Sequence, residues 1–265
     1  MPRKAKTTEK HMRRVSAIIG LAAVTALAAH GQVLLSKGTS YTQNFDALAS
    51  SGSSAPWTDN VTLPGWYAAS QAMGNYGSCR VGGGENKNTG LYSFGTNGAG
   101  RISDRALGSI ASTNPAVIAF GVRFKNDTAR AMGDIMVSYT GEQWRNSTRN
   151  SSEQALAFWY RTSATPITNP EPGVTTNGWT AVTALDFTRL KCGGETGALD
   201  GNDSENRTKF SKVPLARLSL KPGHELFLRW VDVDDLGQSD HGLAVDDLTV
   251  SFAPAGPNSG AASQP

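Results

Sequence analysis

Few residues in this chain announce a chemistry. Two cysteines, Cys79 and Cys192, occur among 265 residues, and of four histidines just His224 and His241 lie beyond residue 31. Two cysteines cannot complete a four-ligand structural zinc site alone, so a zinc-built fold is not indicated. No Gly-x-Ser-x-Gly triplet marks a nucleophile elbow. The glycine-rich segment Arg80-Val81-Gly82-Gly83-Gly84-Glu85-Asn86-Lys87 is followed by neither Gly-Lys-Ser/Thr nor a helical pattern, so it reads as a flexible loop rather than a phosphate cradle. Beyond the N-terminal region no stretch sustains the i, i+3, i+4, i+7 apolar spacing of a helix.

The one long apolar run, Val15 to Ala28, follows a basic leader of Arg3, Lys4, Lys6, Lys10, Arg13 and Arg14. It is shorter than the ~20 residues that cross a bilayer, and the small residues Ala29 and Gly31 sit where signal peptidase cuts. Residues 1–31 therefore read as a secretory signal, leaving an exported protein, secreted, periplasmic or on the cell surface, with no membrane attachment. Arg13-Arg14 raises the twin-arginine route. Six of the 25 basic residues and one of the 22 acidic residues leave with the leader, so 19 basic face 21 acidic groups and the net charge falls from +3 to −2. A mildly acidic protein has no bulk attraction for nucleic acid or anionic lipid. In an oxidising compartment Cys79 and Cys192 are expected to form a disulfide, the other reading being two unrelated buried thiols.

Glycine numbers 29, and Ser, Thr and Asn fill the gaps between short apolar runs, a turn-rich β composition. Phe120, Val122 and Phe124 alternate with Gly121 and Arg123. Ile135, Val137 and Tyr139, then Leu156, Phe158 and Tyr160, then Leu226, Leu228 and Trp230 repeat the period of two. Half-buried strands of this kind need a second sheet to cover them, so the expected fold is all-β, a two-sheet antiparallel sandwich of jelly-roll type over residues 32–252. Residues 253–265, rich in Ala, Gly, Pro and Ser, read as a disordered tail. The last strand changes phase: Leu243 and Val245 are apolar at odd positions, Leu248, Val250 and Phe252 at even ones. A one-residue bulge at Asp246–Asp247 reconciles the two halves.

Three groups carry candidate chemistry. Asp232, Asp234, Asp235, Asp240, Asp246 and Asp247 crowd one hairpin, where mutual repulsion calls for a cation; Ca²⁺ suits many oxygen ligands with loose geometry, and solvated turn carboxylates are the plainer reading. His241 fits a hydrogen-bonding anchor of that hairpin better than a catalytic base. Glu142, Trp144 and Arg145 close a strand with the mix of a sugar-binding patch, in which an indole covers a pyranose face. Trp144 in the core with Arg145 bridging strands is the competing reading.

In order, Tyr41-Thr42-Gln43-Asn44-Phe45-Asp46-Ala47-Leu48, Leu63-Pro64-Gly65-Trp66-Tyr67, Asp104-Arg105-Ala106-Leu107-Gly108-Ser109, Phe120-Gly121-Val122-Arg123-Phe124, Tyr139 to Arg145 and Asp240-His241-Gly242-Leu243-Ala244-Val245-Asp246-Asp247-Leu248 resemble secreted bacterial modules found with PEP-CTERM sorting tails or extracellular nuclease domains. The closing strand is similar to that of MAM-type and concanavalin A-like sandwiches. That resemblance implies pairing of the first and last strands, with Asn44-Phe45-Asp46 beside Ala244-Val245-Asp246, and a cation near Asp46 and Asp246. The expected metal ligands are thus Asp46, Asp232, Asp234 and Asp246, holding a structural Ca²⁺. The expected function is a non-catalytic module that binds extracellular carbohydrate or matrix, or serves structurally at the surface. The rival is a glycan hydrolase pairing Glu142 with a carboxylate of the Asp232–Asp240 hairpin.

Overall fold

Each of the four alternating runs becomes a strand of the protein: Val117–Lys125, Met132–Asn146, Ala155–Ser163 and Glu225–Val233. The structure, a computed structural model, describes Met1 and residues 32–96, 104–111, 117–147, 154–173, 177–234 and 240–256. The expected leader and most of the expected tail lie outside the described residues; the last strand, Gly242–Pro254, runs two residues past the expected domain end.

The strands form two sheets. The eight-stranded sheet runs Thr180–Ala181, Ala155–Ser163, Glu225–Val233, Val117–Lys125, Trp66–Ser70, Gly74–Asn75, with two short strands attached beside this path. The nine-stranded sheet runs Gly197–Ala198, Met132–Asn146, Gly242–Pro254, Ala106–Ile110, Gly90–Phe94, Ser78–Gly82, Ser54–Pro56. Arg207–Pro214 adds to Met132–Asn146, and Ser40–Gln43 adds to Gly242–Pro254. Pairing is antiparallel except where Val33–Leu34 meets Phe124–Lys125 and where Ser78–Gly82 meets Gly90–Phe94. Among the described residues no helix is long and apolar enough to cross a membrane.

One core fills the space between the sheets. Phe120, Val122, Phe124, Leu156, Phe158, Leu226, Leu228 and Trp230 of one sheet meet Ile135, Val137, Tyr139, Leu243, Val245, Leu248 and Val250 of the other. At its centre the Trp230 indole stacks on Trp66 at 6.0 Å and takes edge contacts from Tyr139 at 5.4 Å and Phe158 at 5.2 Å. The outer faces are covered as well. Tyr67, Ile167, Trp179 and Phe227 form one small cluster, and Tyr92, Phe94, Ala106, Ile110, Trp144 and Ala244 form another.

The bulge is where the change of phase puts it. Pairing with Met132–Asn146 shifts between Thr249↔Ser138 and Asp246↔Thr140, and Asp247 takes a φ of 51°. Val245 and Leu248 thereby both reach the core. Ser40–Gln43 pairs with the last strand, Gln43 opposite Leu248 and Ser40 opposite Ser251, whereas the first strand, Val33–Leu34, joins Val117–Lys125. The ladder ends at Gln43, just before Asn44-Phe45-Asp46.

The expected disulfide is absent: Cys79 and Cys192 are not bonded to each other. Cys79 lies in the core on Ser78–Gly82, whereas Lys191, next to Cys192, is held by Gln143 on Met132–Asn146. The sheet order puts four strand-to-strand steps between those strands. At ~4.8 Å each this is roughly 19 Å, against the ~6 Å a disulfide needs. Burial also pushes the Cys79 thiol up to about 12, so it stays protonated.

Replacing Trp230 with Ala should cost ~3–5 kcal/mol, read as a fall in the denaturation midpoint at unchanged slope. Thiol titration should count two free cysteines in the unfolded chain with or without prior reduction. Native Cys79 should resist alkylation; a thiol count that appears only after reduction would restore the disulfide.

Candidate functional site

Met132–Asn146 is 15 residues long and carries the nine-stranded sheet's polar chemistry in its second half. Ile135, Val137 and Tyr139 face the core, so Thr140, Glu142 and Trp144 point to the outer face. Trp144 is nevertheless only 1% exposed. It stacks on Phe94 at 6.1 Å, which stacks on Tyr92 at 4.6 Å. The chain at Leu199 to Gly201 lies over it: Leu199 N–H donates to the Trp144 carbonyl at 2.9 Å, and a Cβ on Gly201 would overlap the indole. On the other side Gly84, at φ +91°, sits so close that a Cβ there would overlap the Trp144 carbonyl oxygen. Arg145 Nη1 donates to the Gly84 carbonyl at 2.9 Å.

These contacts correct two expectations. Trp144 offers no stacking platform to a sugar, and Glu142, Trp144 and Arg145 are buried rather than forming a surface patch. The glycine-rich segment is not a loose loop at Gly83 and Gly84, which are buried against the sheet. Aromatic character and glycine content were visible in the sequence; which loop covers which face was not.

Beneath that cover lies a carboxyl pair. Glu142 is opposite Ala244 and Asp246 opposite Thr140, which sets the two acids diagonally on neighbouring strands. Glu142 is 1% and Asp246 4% exposed. Trp144 Nε1 donates to Glu142 Oε2 at 3.0 Å, while Glu142 Oε1 and Asp246 Oδ1 have no hydrogen-bond partner among the described residues. Burial pushes the Glu142 carboxyl up to about 8, against the pull of the indole donor, with Asp104 and Asp247 adding to the rise. Burial, then the charge of Glu142, pushes Asp246 up to about 9.

The four expected metal ligands are divided. Asp232 faces inward, where Oδ2 accepts from Ser109 Oγ at 2.7 Å and Oδ1 from Gln154 Nε2 at 3.1 Å. Its charged neighbour is Asp234, and burial pushes it up to about 6. Asp246 lies on the other face of the sheet, with Glu142, Asp247 and Asp104 as its charged neighbours. Asp46 is exposed; it accepts Arg105 N–H at 3.2 Å and Asn44 Nδ2 at 2.6 Å. Among the described residues no group of three or more His, Cys, Asp and Glu side chains is arranged to hold a metal. A single ion cannot join all four expected carboxylates, because the sheet separates Asp232 and Asp234 from Asp246. The same separation keeps Glu142 away from Asp232, its expected partner in a hydrolase.

His241 is an anchor. Its Nδ1 accepts Ser147 N–H at 3.1 Å and lies 3.0 Å from Gln143 Nε2, and its own N–H donates to Gln154 Oε1 at 2.8 Å. Gln143 Oε1 in turn accepts Leu190 and Lys191 N–H, each at 2.7 Å. This buried chain runs from Asp232 through Gln154 and His241 to Gln143 and ties three loops to the sandwich end.

The accessible feature is a polar groove on the outer face, which sequence reasoning missed. A cavity of ≈ 630 Å³ is lined by Thr42, Asn44, Ser138, Thr140, Ser211 and Thr249 among others, and a second of ≈ 420 Å³ by Ser204 and Arg207. Both include Thr140, Lys209 and Asp247, so they form one continuous groove. Its residues come from four separate strands and the segments at Asn44 and Ser204, contributing hydroxyls, an amide and charges that look ordinary along the chain.

No family model and no curated protein matches the chain. Solved structures give slight likenesses. The enzymatically active domain of tailspike protein 4 of bacteriophage CBA120 is 8% identical over 71% of this chain, at a TM-score of 0.32; this chain spans 19% of that one. The K1 cleaved adhesin domain of Lys-gingipain from Porphyromonas gingivalis W83 is 13% identical over 83% of this chain and 100% of its own, at 0.30. A carbohydrate esterase from Shiga toxin-encoding bacteriophage phi24B is 13% identical over 73% of this chain and 92% of its own, at 0.28. At these scores no residue role passes from them to this chain.

The carboxyl pair makes stability fall with pH. Glu142 and Asp246 have folded-state values above those of free carboxyls, so the folded chain keeps protons that the unfolded chain gives up. Their contribution is complete below about pH 4 and is lost as pH rises through about 8 and 9. In EDTA the thermal midpoint should therefore decline across this range. Glu142→Gln and Asp246→Asn should each flatten the decline; variants that follow the parent curve would remove the pair as its cause.

Proposed function

We propose that the chain is an exported, non-catalytic β-sandwich module that binds extracellular carbohydrate along the outer-face groove. The observation that supports this most is the groove's lining: hydroxyls of Thr42, Ser138, Ser211 and Thr249 and the Asn44 amide, spread over an open surface. Such a bed exchanges hydrogen bonds with a polyhydroxylated ligand and offers little to an apolar one. A hydrolase reading has less behind it. It needs two carboxyl groups facing substrate across a cleft, and Glu142 and Asp246 lie under cover instead.

Calcium enters the proposal more narrowly than the sequence suggested. Glu142 Oε1 and Asp246 Oδ1 are the oxygens that would hold it, with Asp104 and Asp247 as the neighbouring carboxylates; Asp46, Asp232 and Asp234 have no part. The ion would relieve the repulsion of two buried carboxylates once both have lost their protons.

A glycan array and isothermal titration with array hits test the first half. Ser211→Ala and Asn44→Ala should each weaken binding by about three- to tenfold at unchanged thermal midpoint. Binding that ignores both substitutions would move the site elsewhere, and absence of binding to any glycan would end the carbohydrate reading. For the second half, Ca²⁺ should raise the midpoint near pH 8.5 and EDTA reverse it, with both effects gone in Glu142→Gln/Asp246→Asn. No shift in the parent protein would remove the ion.

A further inference from the structure

We infer that the groove selects anionic polysaccharide, chains that carry carboxylate or sulfate groups among their hydroxyls, and that Arg207 and Lys209 read the negative charge. This rests on the carbohydrate reading above and narrows it to a substrate class.

Arg207–Pro214 is an edge strand, paired on one side with Met132–Asn146 through Arg207↔Glu142 and Lys209↔Thr140. Arg207 and Lys209 are two residues apart, so their side chains leave the same face about 7 Å from one another. Both are exposed and both line the groove, Lys209 at the shared middle and Arg207 toward Ser204. Neither makes a salt bridge among the described residues, where the ion pairs are Arg123–Glu225, Arg161–Glu171 and Lys191–Glu205. Arg207 lies opposite the buried Glu142, whose carboxyl it pulls down slightly, and both exposed side chains remain open to a ligand in the groove.

The charge balance in the groove supports an anion. Asp247 is the exposed carboxylate in the lining, set against two cations. From Arg207 to Ser211 the strand covers about 14 Å, enough for a short oligosaccharide to meet both cations and the hydroxyls beyond them. Nucleic acid would use the same cations for phosphate, but it wants exposed aromatic faces for its bases. The ring-bearing lining residues, Tyr139 and Phe210, stack on each other at 4.5 Å with Tyr139 buried.

The test measures binding of the full chain to polygalacturonate, dextran sulfate and neutral dextran, with single-stranded DNA alongside. Expected is binding to one or both acidic polymers, which separates carboxylate from sulfate recognition, and weaker binding to dextran. Between about 50 and 500 mM NaCl the acidic polymers should lose affinity by about tenfold or more. Arg207→Ala and Lys209→Ala should each cost about threefold and together about tenfold, while Lys221→Ala, an exposed cation outside the groove, changes nothing. Equal, salt-insensitive binding to dextran would overturn the anion preference and leave the carbohydrate reading standing. Acidic-polymer binding that ignores both substitutions, or DNA bound as tightly as the polysaccharides, would overturn the assignment to these residues. No binding to any polymer would take the carbohydrate reading down with it. Both cations are exposed, so the variants should keep the parent's thermal midpoint, and that measurement separates lost recognition from lost folding.

Discussion

Leu243 and Val245 share the core with Leu248, Val250 and Phe252 because the closing strand gains one residue at Asp246–Asp247. Without that residue one half of the strand would turn its apolar side chains to the outer face. The bulge does more than save the core. It sends Asp246 outward beneath the cover, next to Glu142, and leaves Asp247 at φ 51° in the wall of the groove. It also brings Leu248 opposite Gln43, which closes the sheet with Ser40–Gln43 and delivers Thr42 and Asn44 to the groove. Core, carboxyl pair and groove wall therefore hang on the phase of a single strand.

The sandwich was legible because its signal is local. Phe120, Val122 and Phe124 alternate in the sequence and all enter the core, and the same holds for Ile135, Val137 and Tyr139 and for Leu226, Leu228 and Trp230. The bulge was legible for the same reason, as a change of parity within ten residues. The opposite faces followed a different rule. Phe227, Arg229 and Val231 look like the solvent side of a strand, but Trp179 packs on Phe227 and the Arg229 guanidinium lies 3.8 Å from the Trp179 ring. Their cover comes from segments tens of residues away, and period-two patterning carries no information about such partners.

Trp144 shows how that blindness reached the candidate site. An indole beside an acid and a guanidinium has the composition of a sugar patch, and composition was all the sequence could offer. Its burial depends on Gly201 and Gly84, where the lack of a side chain lets two loops close on the ring and its carbonyl. The cysteines failed in the same manner. Two thiols in an exported chain are compatible with a disulfide until the sheet order places their strands four steps apart. In both cases residue types were read correctly and the distance between them was decided by topology.

The acidic hairpin had to be split for the molecule to fold. Asp232 points between the sheets, where a lone carboxylate is expensive, and the Ser109 hydroxyl and Gln154 amide satisfy it there. Gln154 then reaches His241, so a buried charge becomes the first link of the network that fixes the sandwich end. Asp246 is less well served: among the described residues one of its oxygens and one of Glu142's face no donor, and the charge of Glu142 raises the cost of ionising Asp246. At neutral pH both carboxyls therefore keep their protons, which sets the charge of the buried layer beside Asp247 in the groove wall. With a proton on each carboxyl that pair is neutral, and Asp247 is the exposed carboxylate that faces Arg207 and Lys209 in the groove lining. A divalent cation leaves that layer no more negative. Either state suits the anionic ligand proposed for the groove.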